Sequence, residues 1–125
     1  MTQKKTVTLT GEHLSLTEGE MIAYGASVLI ESKSSERVQA SRNYIKDLNN
    51  INTAVYGINT GFGFLAQEKI APNELEELQL NLLKSHAAGY GPPLSIPQTR
   101  LAMALRLNVL LKGHSGTSVR LCKKL

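Results

Sequence analysis

Two stretches in the second half of the chain are apolar on every side of a helix. Residues 75–88, LEELQLNLLKSHAA, carry Leu75, Leu78, Leu80, Leu82 and Leu83 and run on through Ala87 and Ala88. Residues 101–111, LAMALRLNVLL, repeat the pattern with few polar interruptions. A helix that is apolar all round needs cover on all faces. A chain of 125 residues holds too few other elements to cover two of them. Both helices are therefore expected to be mostly buried, as members of a long helical bundle. The fold class is mainly α, with more apolar helix surface than these residues can enclose.

Local punctuation supports this reading. Pro72 and Asn73 precede Glu74, Glu76 and Glu77, which predicts an Asn73 N-cap with acids in the first turn, where the helix dipole favours them. That helix should reach about Gly89. Ser95 caps the next, with Pro97 in its first turn, Gln98 completing a capping box and Gly113 ending it. VRLCKKL, residues 119–125, starts another helical pattern.

The first half is a small mixed region. TVTLT (6–10) alternates like a short strand. LTEGEMIAYG (16–25) predicts a two-turn helix, with a Thr17–Glu20 capping box, a Leu16–Met21 staple and Gly25 as the stop. SVLIE (27–31) reads as a second strand. SSERVQASRNYIKDLNN (34–50) reads as an amphipathic helix using Val38, Ile45 and Leu48, closed by Asn49 and Asn50. TAVYGI (53–58) is expected to be extended. The organisation is one domain in three parts: residues 1–52 mixed, 53–72 a glycine-rich loop, and 73–125 helical.

Composition removes several function classes. The chain is 42% hydrophobic and 19% charged, a globular balance. No apolar run is long enough for a membrane span, and MTQKKTVTLT lacks the apolar core of an export signal. Cys122 is the only cysteine, so no internal disulfide forms and a reducing, cytoplasmic setting is expected. The net charge is +4, and beyond Glu77 every charged side chain is basic. These cations are dispersed, and Tyr90 is the only aromatic beside them, which argues against nucleic-acid binding. The missing acids suggest a chain that stops early.

Two constellations carry chemistry. In AVYGINTGFGFLAQEKI (54–70), Gly57, Gly61 and Gly63 flank Asn59 behind Tyr56. The pattern lacks the Gly-Lys-Ser/Thr ending of a P-loop and the dinucleotide fingerprint. Either it is a surface connection with Tyr56 packed beneath it, or a lid carrying Tyr56 as a catalytic group. The second constellation is Ser85-His86, near the end of the first apolar helix. A lone histidine there is more often a hydrogen-bonded core residue than a catalyst. His13, His86 and His114 lack metal-ligand spacing, so no metal site is expected. Glu74, Glu76 and Glu77 are explained by the helix start, and Cys122 has no activating neighbour.

The segments VYGINTGFG (55–63), NLLKSHAAGYGPPL (81–94) and LRLNVLLKGHSG (105–116) closely resemble the N-terminal part of the aromatic amino acid ammonia-lyases, most of all the histidine ammonia-lyases. The likeness runs from about residue 6 to residue 121. It implies the N-terminal part of a helical-bundle lyase fold and a parent reaction that removes ammonia from L-histidine to give urocanate. In that setting the tyrosine on the inner loop, here Tyr56, is the base that takes a β-proton, and Gly57, Asn59, Gly61 and Gly63 belong to the lid that closes over the substrate. Tyrosine titrates near 10, so such a base needs its anion stabilised. The family does this with helix N-termini converging on the site. Ser85-His86 corresponds to the selectivity position and resembles the histidine-specific members. His86 would contact the imidazole, with Ser85 leaving room beside it.

The resemblance also implies a methylidene-imidazolone electrophile formed from an internal Ala-Ser-Gly, and a homo-oligomer, a tetramer in the family. No Ala-Ser-Gly occurs in this chain. The expectation is an N-terminal fragment, inactive alone and holding no cofactor of its own. The alternatives are a truncated, non-enzymatic paralogue that associates with a full-length lyase, or a piece of a tyrosine- or phenylalanine-specific lyase or an aminomutase.

Overall fold

The computed structural model describes residues 5–48, 54–63, 67–71 and 73–125. The chain divides into two compact units, residues 1–44 with 93–125, and residues 45–92. The expected end of the second helix at Asn49 and Asn50 lies outside the described residues, as do Thr53 and Pro72.

In the first unit, β1 (Thr6–Leu9) and β2 (Ser27–Ile30) pair in parallel, Thr6 opposite Ser27 through Leu9 opposite Ile30. Alternation sets the inward face: Val7 and Leu9 are buried, while Thr6 and Thr8 face outward. Parallel strands need a crossover, which α1 (Leu16–Ala23) supplies. Its start differs from the sequence expectation. Ser15, not Thr17, is the N-cap, and the capping box is Ser15–Glu18. Thr17–Glu20 has the same spacing, so spacing cannot choose between them; the extended backbone at Ser15 (φ −71°, ψ 157°) does. The backbone N–H and the hydroxyl of Ser15 donate to Glu18 Oε2 at 2.9 and 2.6 Å. Leu16 is nearly fully exposed, so the expected staple is not what secures this end.

Those bonds, the hydroxyl's first, hold the Glu18 carboxyl below its ordinary value of 4.5. A carboxylate depressed in the folded state stabilises above the unfolded pKa, and that stabilisation is lost as pH falls through the folded value. Amide protection in α1 should therefore weaken selectively as pH drops below the ordinary carboxylate value. Glu18→Gln, which keeps a capping-box acceptor, should flatten that dependence in hydrogen exchange. An unchanged pH profile in the variant would remove Glu18 as its source.

The core is aliphatic. Leu9, Ile22, Val38, Leu107 and Leu111 pack together with Cys122. They come from β1, α1, α2 (Ser32–Leu48), α4 (Ile96–Leu110) and its C-cap, and α5 (Val119–Lys124). Ser95 caps α4 with Gln98 in a capping box and Pro97 in the first turn, as the sequence predicts. Polar clamps satisfy the connections. Gly11 N–H donates to Asn108 Oδ1 at 3.0 Å, and Asn108 Nδ2 donates to the Glu12 carbonyl at 3.1 Å. Arg100 Nε and Nη2 donate to the carbonyls of Ile22 and Ala26, both at 2.8 Å, tying α4 to the end of α1. Arg37 Nη2 and Ser34 Oγ both donate to the Thr10 carbonyl.

In the second unit, α3 spans Leu75–His86. Its N-cap is Glu74 rather than Asn73, without a side-chain cap, and it ends three residues short of Gly89. The expectation of burial fails here: none of its residues is buried, and Leu83 is 67% exposed. On α4, Leu105 and Val109 are also about half exposed. The physical reason is the surplus of apolar surface: within the first unit the core takes only one face of α4. Among the described residues no helix is long and apolar enough to cross a membrane.

Candidate active site

The glycine-rich segment folds around its own side chains. The amides of Ile58 and Asn59 both donate to the Val55 carbonyl, at 3.0 and 3.2 Å, so the chain turns at Tyr56 instead of continuing extended. Gly57 makes this turn at φ +74°, a region closed to most side chains. Asn59 Oδ1 accepts from the Val55 N–H at 2.7 Å. Thr60 Oγ1 accepts from the Gly57 N–H at 3.4 Å and donates to the Gly61 carbonyl at 3.0 Å. Asn59 and Thr60 are both buried. The return stretch joins them: Ile70 N–H donates to the Asn59 carbonyl at 2.9 Å, and Gly61 N–H to the Glu68 carbonyl at 3.1 Å. Thr60 and Lys69 form an antiparallel bridge.

Two amide and hydroxyl side chains thus hold the turn from within, and Tyr56 is left pointing out. It is 66% exposed, so it is not packed beneath the loop. The Phe62 ring meets it edge to face, centroids 6.2 Å apart at 74°, within the range where aromatic pairs attract. Gly63 also sits at positive φ (+58°), whereas Gly61 does not; its amide serves the return pairing.

Ser85 and His86 occupy the last turn of α3, both exposed. Ser85 Oγ lies 2.8 Å from the Leu82 carbonyl oxygen and 2.9 Å from His86 Nδ1, and His86 Nδ1 lies 3.0 Å from the same carbonyl oxygen. The core-histidine reading does not apply to an exposed ring. Among the described residues, no hydrogen bond or ring contact links Tyr56 to this pair. Each half of the candidate site is organised locally.

Sequence reasoning missed Thr60 and Phe62. The first was detectable, because Asn-Thr beside glycine is the composition of side-chain-stapled turns. The second was not, since rings six positions apart meet only when the chain between them turns back, which no local period foretells. Elsewhere, a groove of about 880 Å³ runs along β2 and α4, lined by Val28, Ile30, Met103 and Leu107. Its guanidinium, Arg100, is already committed to carbonyls. Burial pushes the Cys122 thiol up, which keeps it protonated and unreactive. Among the described residues no cluster of histidine, cysteine or carboxylates is placed to hold a metal.

Residues 14–125 match the aromatic amino acid lyase family, and the chain belongs to it. Within that family the likeness is to histidine ammonia-lyases. The Caenorhabditis elegans histidine ammonia-lyase is 42% identical over 99 residues, covering 79% of this chain and 15% of that protein. The crystal structure of histidine ammonia-lyase from Trypanosoma cruzi superposes with a TM-score of 0.84 at 41% identity, over 95% of this chain and 23% of the other. The ergothioneine-degrading enzyme ergothionase from Treponema denticola superposes with a TM-score of 0.90 at 33% identity, over 96% of this chain and 24% of the other. The chain thus spans less than a quarter of the length of these relatives. The fold is the mainly α lyase fold, in its N-terminal part.

Proposed function

We propose that these residues supply the proton-abstracting tyrosine and the ring-recognising histidine of a histidine ammonia-lyase, an enzyme that eliminates ammonia from L-histidine to give urocanate. The observation that carries this reading is the exposed phenol of Tyr56, held out on a turn stapled by Asn59 and Thr60. The Tyr56 oxygen takes the β-proton, and closure of the turn over bound substrate excludes water from the transfer. His86 meets the imidazole, with Ser85 beside it. The family's methylidene-imidazolone supplies the electrophile that makes the amino group a leaving group. Its Ala-Ser-Gly precursor is absent from these residues, so they do not generate it. The setting we assign is cytoplasmic and homo-oligomeric.

The test is a chimera in which residues 1–125 replace the matching segment of the Trypanosoma cruzi enzyme. Urocanate should accumulate from L-histidine with the chimera and not with the isolated chain. Urocanate formed by the isolated chain, or a folded chimera without activity, would refute the proposal.

A second reading is favoured by the apolar side chains left open on α3 and α4, Leu80, Leu83, Leu105 and Val109. On it, the chain is a non-enzymatic companion of a full-length lyase. Size-exclusion chromatography with that enzyme separates the two, and a chain that stays monomeric beside it counts against association.

A further inference from the structure

The contacts around His86 bear on which of its ring nitrogens carries the proton. A carbonyl oxygen has no hydrogen to give. The 3.0 Å approach of His86 Nδ1 to the Leu82 carbonyl is therefore a hydrogen bond only if Nδ1 is protonated. Ser85 is compatible with the same assignment. Its hydroxyl has one proton, directed to the Leu82 carbonyl at 2.8 Å, which leaves its oxygen to accept at 2.9 Å from Nδ1. In the opposite tautomer the Nδ1 lone pair would face the carbonyl lone pair at the same 3.0 Å. Free histidine prefers the proton on Nε2, so a proton held on Nδ1 at the end of α3 is a reversal of the intrinsic preference, set by the bond that nitrogen makes.

We propose that Ser85 is a positioning residue that holds His86 as its Nδ1–H tautomer and turns the Nε2 lone pair outward as an acceptor. Resting on the function proposed above, this sharpens the substrate class: the side chain His86 receives must present a hydrogen-bond donor at its tip. An imidazole does so, whereas a phenyl ring leaves Nε2 unpaired. Sites that hydrogen-bond a substrate N–H discriminate strongly against analogues lacking it. Ser85 then does more than leave room, since an alanine would leave as much and lack the oxygen.

The experiment is long-range proton–nitrogen correlation NMR on the uniformly nitrogen-15-labelled 125-residue chain, at a pH where the imidazoles are neutral. The three histidines are assigned by single His→Gln substitutions. The expected His86 pattern is a pyrrole-type Nδ1 and a pyridine-type Nε2. Ser85→Ala should move the tautomer ratio toward Nε2–H by roughly fivefold, as the loss of one ordinary hydrogen bond implies. Ser85→Thr should restore it. A wild-type His86 protonated on Nε2 overturns the proposal, and so does an unchanged ratio in Ser85→Ala. Both substitutions lie at an exposed position, and the wild-type spectrum alone already decides the tautomer. No substrate is needed, so the expected ring pattern in the chain together with a folded chimera that makes no urocanate refutes the substrate assignment and not the tautomer.

Discussion

Tyr56→Phe in the chimera is expected to lower kcat for urocanate formation by about 10²–10⁴-fold, the usual worth of a positioned general base. KM should change little. Phenylalanine keeps the ring and its edge contact with Phe62 at 6.2 Å and removes only the oxygen. Because the Tyr56 side chain is two-thirds exposed, that oxygen has water around it, and its loss should leave unfolding midpoints unchanged. A defect confined to kcat in a protein of normal stability is the signature of a group used only in the transition state. Near-normal turnover by the variant would mean that a different base takes the proton.

Gly11→Ala should be the most damaging conservative change in the first unit, at about 3 kcal/mol or more when strain and overpacking are combined. Gly11 has φ +78°, and an added Cβ would lie 2.6 Å from the Leu111 carbonyl carbon and 2.7 Å from its oxygen. Both atoms are backbone and cannot swing aside. Relief would require moving the β1–α1 connection away from the end of α4, which breaks the Gly11 to Asn108 hydrogen bond and opens the core at Leu111. Gly25→Ala is the control. It shares a positive φ (+106°) but meets nothing within 4 Å, so it should cost only about 1–2 kcal/mol of backbone strain. Urea unfolding of both variants checks the difference. Equal losses would show that close approach to Leu111 is not what demands glycine at position 11.

Much of this was readable from residue order because the relevant physics is local. The alternation of Val7 and Leu9, the Ser95–Gln98 box with Pro97, and the stop at Gly25 each depend on neighbours a few positions away. Tyr56 and Ser85-His86 were picked out by motif. Their surroundings were not. Capping residues illustrate the boundary: Ser15–Glu18 and Thr17–Glu20 are equivalent as text, and only the backbone angles at Ser15 separate them. Burial of α3 was misjudged for a related reason. Apolar periodicity states what a helix needs covered, and whether cover arrives depends on other elements.

Residue order alone therefore determined the mainly α class, the short strands, and the tyrosine and histidine worth testing, since propensity, period and motif are properties of contiguous sequence. Tertiary structure decided that Tyr56 faces outward, that Asn59 and Thr60 are the buried staples of its turn, and that Gly11 sits against Leu111. Those facts depend on which atoms meet after the chain has returned on itself, and close packing makes such meetings sensitive to displacements of a fraction of an ångström.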